Sequence, residues 1–153
     1  MRLQTSSSIA LFAVLELAAN PAHQLSALEI AEKYGISAHH LAKVLRGLGR
    51  AGIVDAVRGV GGGYQLIANP KRLTLFDVIQ VFEPIGSRAA PESSRTVLTD
   101  ASAALDLVLA ELDQHAIATF RSITVSTMLK LMARRASSRQ QSSRPARQAA
   151  ARR

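Results

Sequence analysis

His39, Lys43, Arg46 and Arg50 recur at spacings of three and four along one stretch of the chain. On a helix turning about 100° per residue they fall within about 60° of one another. Leu41, Val44, Leu45 and Leu48 occupy the opposite face. A helix built this way buries its apolar side and offers the basic side to a polyanion. The chemistry open to it is recognition: Lys43, Arg46 and Arg50 neutralise charge, Ser37, His39 and His40 form hydrogen bonds, and Ala38 can touch a methyl group. Just downstream, Arg58 stands beside Gly59, Gly61 and Gly62. An arginine among glycines can enter a narrow minor groove while the bare backbone lies close to the sugar–phosphate wall.

Bond-making chemistry finds no comparable support. No nucleophile, base and orienting group occur together in a recognisable pattern. The Gly59–Gly63 run lacks the Lys-Ser/Thr of a phosphate-binding P-loop, and Tyr64 occupies the last position that G-x-G-x-x-G would require. A hairpin turn is the simpler account. His39 and His40 are adjacent, so on a helix they do not share a face as metal ligands would. His23 falls in a loop, His115 lies along a long helix, and Glu83 beside Pro84 reads as structural. The chain is expected not to be an enzyme.

The elements that position the basic rail follow from periodicity and punctuation. Ile9, Phe12, Leu15 and Ala19, widened by Leu11, predict a first helix from about Ser8 to Asn20, ended by Pro21. Ser26 and Glu29 form a capping-box pattern that opens a second helix, and Gly35 closes it. Ser37 caps a third, reaching about Ala51. Two short helices joined by a glycine-containing turn make a helix-turn-helix. The β-branched run from Ile53, the glycines, and then Tyr64 to Ile67 predict a β-hairpin wing. Thr74 and Asp77 start a short fourth helix through Val78, Ile79 and Phe82.

Residues 85–98 read as a loop. Leu105, Leu109, Leu112, Ala116, Phe120 and Ile123 then keep helical spacing through 99–133. A helix of about 35 residues far exceeds the average of about 11–12. Its stripe exceeds what one small domain can cover, and a second copy of the chain is the simplest partner. Residues 134–153 carry Ala, Ser, Gln and Arg without apolar periodicity and are expected to be disordered. The fold class is therefore mainly α with a small β-hairpin wing: a winged helix-turn-helix over 1–84 and a long C-terminal dimerisation helix.

Charge sharpens the picture. The chain of 153 residues has a net charge of +8. Seven of its nineteen basic residues lie in 134–153 with no acid, leaving twelve against eleven elsewhere. Within that near-neutral body, residues 33–72 hold seven basic side chains against Asp55 alone. A basic block in a balanced body is the footprint of a nucleic-acid-binding surface. With no cysteine, disulfides and thiolate metal sites are excluded. No apolar run approaches the roughly 18 residues of a membrane helix. The opening residues lack the apolar core of a signal peptide, so a cytoplasmic location is expected.

"MRLQTSSSIALFAVLELA", the stretch from Leu25 to Ile85 and above all "VRGVGGGYQL" resemble the Rrf2 (Rrf-two) family of winged-helix regulators, which includes the iron–sulfur regulator IscR and the nitric-oxide-sensitive NsrR. "HHLAKV" resembles the NsrR branch more than IscR. The resemblance is strong over about 1–86 and looser along the long helix. It implies a homodimer reading a palindromic operator in double-stranded DNA. It implies contacts at Ser37, His39, His40 and Lys43 and a minor-groove contact at Arg58. Cluster-binding members place three cysteines between the fourth helix and the dimer helix, and some add an acidic N-terminal ligand near the position of Ser8. This chain has neither, so no iron–sulfur cluster and no other cofactor is expected. A small molecule or a partner protein is the class of effector left open. The leading expectation is a transcriptional repressor. The rivals are a protein-interaction module and a nonspecific nucleoid-type protein using the basic tail.

Overall fold

The computed structural model describes residues 3–83, 85 and 99–150, with side chains as far as Arg139. Six helices and one hairpin follow in chain order: α1 (Thr5–Ala19), α2 (Ala27–Tyr34), α3 (Ala38–Arg50), β1 (Val54–Val57), β2 (Gly63–Leu66), α4 (Leu75–Ile79), α5 (Asp100–Ser122) and α6 (Val125–Ala150). The result is a mainly helical winged helix with a small antiparallel sheet. The loop expected over 85–98 lies almost wholly outside the described residues. No helix among the described residues is long and apolar enough to cross a membrane.

α1 is the central post. Ala10, Ala13 and Val14 are fully buried, and Ile9, Leu15 and Leu17 nearly so. It packs against α2, α3, α4, α6 and β2, so the single stripe expected from periodicity is replaced by a helix covered on most sides. Phe12, counted in that stripe, is instead 44% exposed. It stacks on Tyr34 at 5.0 Å between ring centroids. Leu41, Val44, Leu45 and Leu48 of α3 are buried against the same core. Burying each such side chain contributes about 1.5–3 kcal/mol.

The helix ends are built as their sequences dictate. Ser26 Oγ accepts the Glu29 amide at 3.2 Å, and the Glu29 carboxylate accepts the Ser26 amide at 2.7 Å. Those hydrogen bonds, first from the Ser26 backbone and then from its side chain, hold the Glu29 carboxyl below its usual range. Gly35 ends α2 in the left-handed conformation at φ 62°. The Ile36 amide then reaches back to the Ala31 carbonyl at 2.9 Å, a Schellman-type closure that turns the chain into α3. Ser37 caps α3 by accepting the His40 amide. Thr74 and Asp77 form the expected capping box on α4, which ends at Ile79 rather than reaching Phe82.

The hairpin pairs Val54 with Leu66 and Val57 with Gly63. A third segment joins it: Leu25 bridges to Tyr64, with amide-to-carbonyl hydrogen bonds of 3.1 and 2.8 Å. The wing is thereby tied to the residue just before the α2 cap. Gly63 makes this approach possible, since a Cβ there would lie 2.6 Å from the Leu25 carbonyl oxygen.

The single long helix expected over 99–133 is in fact two. α5 stops at Ser122, and Ile123 is extended at φ −104° and ψ 114°. Thr124 bridges antiparallel to Thr74. The Leu75 amide donates to the Ile123 carbonyl and the Val125 amide to the Leu73 carbonyl, both at 2.9 Å. Thr124 Oγ1 then accepts the Thr127 amide at 3.2 Å, capping α6. A β-branched pair followed by a cap breaks the helix at a position where apolar spacing alone runs on. α6 in turn continues to Ala150, where a disordered tail was expected. Ala, Arg and Gln rank high in intrinsic helix propensity, and before Pro145 they extend a helix that the core has already nucleated.

Candidate nucleic-acid interface

Lys43, Arg46 and Arg50 emerge on the exposed side of α3 and line one shallow groove together. Arg46 and Arg50 also border a second depression with Val54, Asp55, Ala56 and Tyr64, which joins the rail to the base of the wing. Arg46 Nε donates to the Ala42 carbonyl at 3.3 Å, holding the guanidinium along the helix. At the N-terminal end of α3, Ser37, Ala38 and His39 are exposed. Here the helix presents the positive end of its dipole, and no acidic residue lies in its first turn.

His40 departs from this set. It is half-buried, and its Nε2 lies 3.2 Å from Ser6 Oγ at the start of α1. The ring is turned toward the core helix, while its neighbour His39 faces outward. Adjacent helix positions differ by about 100° in direction, which separates the two imidazoles.

Arg58, Gly59 and Gly61 are exposed at the wing, with Val60 fully exposed at its tip. Gly59 and Gly61 hold φ of 116° and 78°, which side-chain-bearing residues rarely adopt. At Gly62 a Cβ would collide with the Val57 carbonyl. The turn's own geometry therefore already demands glycine, apart from any approach to a ligand. Arg58 lines neither groove.

Where α2 meets α1 lies a group that periodicity did not single out. Glu16, within the apolar run of α1, has a side chain only 9% exposed. Its carboxylate accepts from Lys33 Nζ at 2.6 Å, Tyr34 Oη at 2.8 Å and Asn20 Nδ2 at 3.2 Å. Burial alone would raise its pKa, but hydrogen bonds from Lys33 and Tyr34, with the Lys33 charge, outweigh it and hold the carboxyl below its usual range. Burial and the Glu16 charge push the Tyr34 phenol up to about 12. The cluster pins the end of α2 to α1, and so fixes the platform from which α3 projects. A lone carboxylate amid Leu, Ala and Val was the available signal for it.

On α5, Leu105 and Leu112 are 58% and 59% exposed, and Leu109, Ala116 and Phe120 are half-buried; Ile123, also expected in this stripe, is half-buried but lies past the helix end, in the extended link to α6. Val108, which the sequence reading omitted, is exposed on the same face and widens the stripe. Ile117 is the residue of α5 that the chain itself buries. Arg121 also anchors the helix, with its guanidinium 4.4 Å from the centroid of the Phe76 ring.

No group of three His, Asp or Glu side chains able to hold a metal ion occurs among the described residues, and the chain has no cysteine. The donor set therefore does not fit an iron–sulfur cluster, whose irons are held chiefly by thiolates.

Comparison with known proteins agrees with this architecture. The Rrf2 family model, described as an iron-dependent transcriptional regulator, matches residues 3–131. The HTH-type transcriptional regulator BadM of Rhodopseudomonas palustris is 49% identical over 132 residues, covering 86% of this chain and 83% of that protein. Among solved structures, CymR (YrzC), the global cysteine regulator of B. subtilis, aligns with a TM-score of 0.67 at 26% identity, over 86% of this chain and 98% of its own. T. potens IscR aligns with a TM-score of 0.64 at 27% identity, over 85% of this chain and 87% of its own. The chain belongs to the Rrf2 family of helix-turn-helix transcriptional regulators.

Proposed function

We propose that the chain is a cytoplasmic repressor that binds a palindromic operator as a homodimer and works without an iron–sulfur cluster or other cofactor. One observation carries the reading: Lys43, Arg46 and Arg50 are gathered on the exposed flank of a capped helix whose other flank is core. Such a helix fits the major groove, with its N-terminal residues meeting base edges and the later ones meeting phosphates. Ser37, Ala38, His39 and Lys43 would read bases, and Arg46 and Arg50 would hold the backbone. Arg58 would enter the adjacent minor groove.

The uncovered stripe on α5 supports a second copy as its cover, with half-sites about 34–36 Å apart. The absence of cysteine from the sequence supports control that does not pass through thiolate-bound iron, in contrast to the family's iron-dependent description. "HHLAKV" keeps the proposed position nearest the NsrR branch.

Selection from random duplexes followed by footprinting tests the reading. The expected product is an inverted repeat protected on one face. If roughly 6–10 phosphates are neutralised, log affinity should fall with log salt at a slope of about −5 to −9. A purified chain that stays monomeric and enriches no inverted repeat overturns it.

A further inference from the structure

Beyond Asp113 the sequence holds no acidic residue, while Arg121, Lys130 and the seven arginines of 134–153 follow. The core residues of α6 end at Leu129. From there Lys130, Arg134 and Arg135 are exposed on a helix whose first turn is fixed to the winged domain. Val125 is fully buried, and the Ser126 amide donates to the Pro70 carbonyl at 2.8 Å, next to exposed Lys71 and Arg72. The stretch 134–150 extends that mount by roughly 25 Å at the α-helical rise.

We infer that the Arg-rich part of α6 is a second DNA-contacting arm, one that engages duplex phosphates without reading sequence. The inference rests on the proposed operator-binding function and adds an element to it. Solvent-exposed helices ordinarily intersperse both signs, and like charges four residues apart cost a few tenths of a kcal/mol. Here Lys130 and Arg134, both exposed, are such a pair. A polyanion relieves that repulsion and releases counterions in exchange. A membrane surface fits less well: residues 133–150 offer only Ala, Ser, Gln, Arg and Pro, and a surface-bound helix needs bulky apolar side chains to insert.

The test compares the full chain with one ended after Ala133, on the selected operator and on a scrambled duplex of equal length, across a salt series. The shortened chain keeps Val125, Met128 and Leu129 and so retains the packed part of α6. Its affinity for the scrambled duplex should fall about tenfold or more near 0.1 M salt, and its slope should shrink by about 0.9 per lost phosphate contact. Preference for the operator should hold or rise. Replacing Arg134, Arg135, Arg139 and Arg144 with Gln should reproduce the loss at full length, and replacing them with Lys should restore most of the binding. An unchanged slope and affinity after shortening overturns the arm alone. So does an arm needed only for binding vesicles of anionic lipid. A full chain that binds no duplex overturns the arm together with the function beneath it.

Discussion

His40 Nε2 lies 3.2 Å from Ser6 Oγ, joining the first turn of α3 to the first turn of α1. The Gln4 amide, just ahead, donates to the Glu83 carboxylate at 3.3 Å. The start of α1 is thus tied both to α3 and to the turn after α4. In this position the His40 side chain helps to hold α3 against α1.

His40→Ala should therefore cost about 0.5–1.5 kcal/mol of stability, the usual net worth of one hydrogen bond. Ser6→Ala should cost a similar amount, and the double variant little more than either single one. Urea unfolding of the four proteins measures the coupling. Additive losses would show that the two side chains act independently.

Arg46→Ala and Arg50→Ala should each reduce the salt slope by about 1 and weaken operator and scrambled duplex alike, whereas Lys43→Ala should weaken the operator more than the scrambled duplex. Arg58→Ala should weaken the operator more than the scrambled duplex. Equal losses at Arg58 would place it on the backbone instead of in the minor groove.

Because the folded Glu16 carboxyl titrates below its ordinary value, the unfolded chain binds a proton first as pH falls. The stability it contributes is present above the ordinary carboxyl value of 4.5 and is lost as pH drops through the lower folded value. Thermal midpoints should fall across that window in the parent chain and fall less in Glu16→Gln. Tyr34 runs the opposite way. The unfolded phenol ionises near 10 and the folded one near 12, so stability should decline across that interval. Tyr34→Phe should flatten the alkaline decline.

Gly63→Ala places a Cβ against the Leu25 carbonyl. Overpacking of this kind costs about 1–3 kcal/mol, and the loss should appear as a lower urea midpoint with early amide exchange at Leu25 and Tyr64. A neutral effect would mean that the wing is not held at that bridge.

Leu112→Glu puts a charge at the centre of the exposed α5 stripe. Sedimentation should shift from dimer to monomer, with operator affinity falling at least tenfold and helix content retained. A dimer that survives the change would place the partner surface elsewhere.

Much of this was legible in the residues because local rules and the fold agree. Ser26 with Glu29, Gly35, Ser37, and Thr74 with Asp77 each fix a helix end by interactions within one turn, so sequence alone locates them. The basic rail on α3 was legible for the same reason: one helix period sorts its charges from its leucines. The failures are non-local. Ile123 and Thr124 satisfy helical spacing, and only pairing with Leu73 to Leu75 reveals that they leave the helix. Phe12 fits the core stripe, yet Tyr34 draws it to the surface. Helical spacing puts His40 on a different face from His39, but its partner Ser6 is 34 residues away and is not legible from the sequence. Glu16 becomes a structural anchor only when α2 delivers Lys33 and Tyr34. Past Ala133 the difference has another source: missing apolar periodicity marks the end of packing, while helix continues to Ala150.

The bridge between Thr74 and Thr124 gives the molecule a pivot. α5 cannot swing against the winged domain without disturbing the two backbone hydrogen bonds that stitch residues 123–125 to 73–75. In the proposed dimer, joined along α5, the reach from one α3 to the other would then be set by the angle at this seam. A change of a few degrees there would move the far helix off its groove, so the seam serves as the caliper's screw.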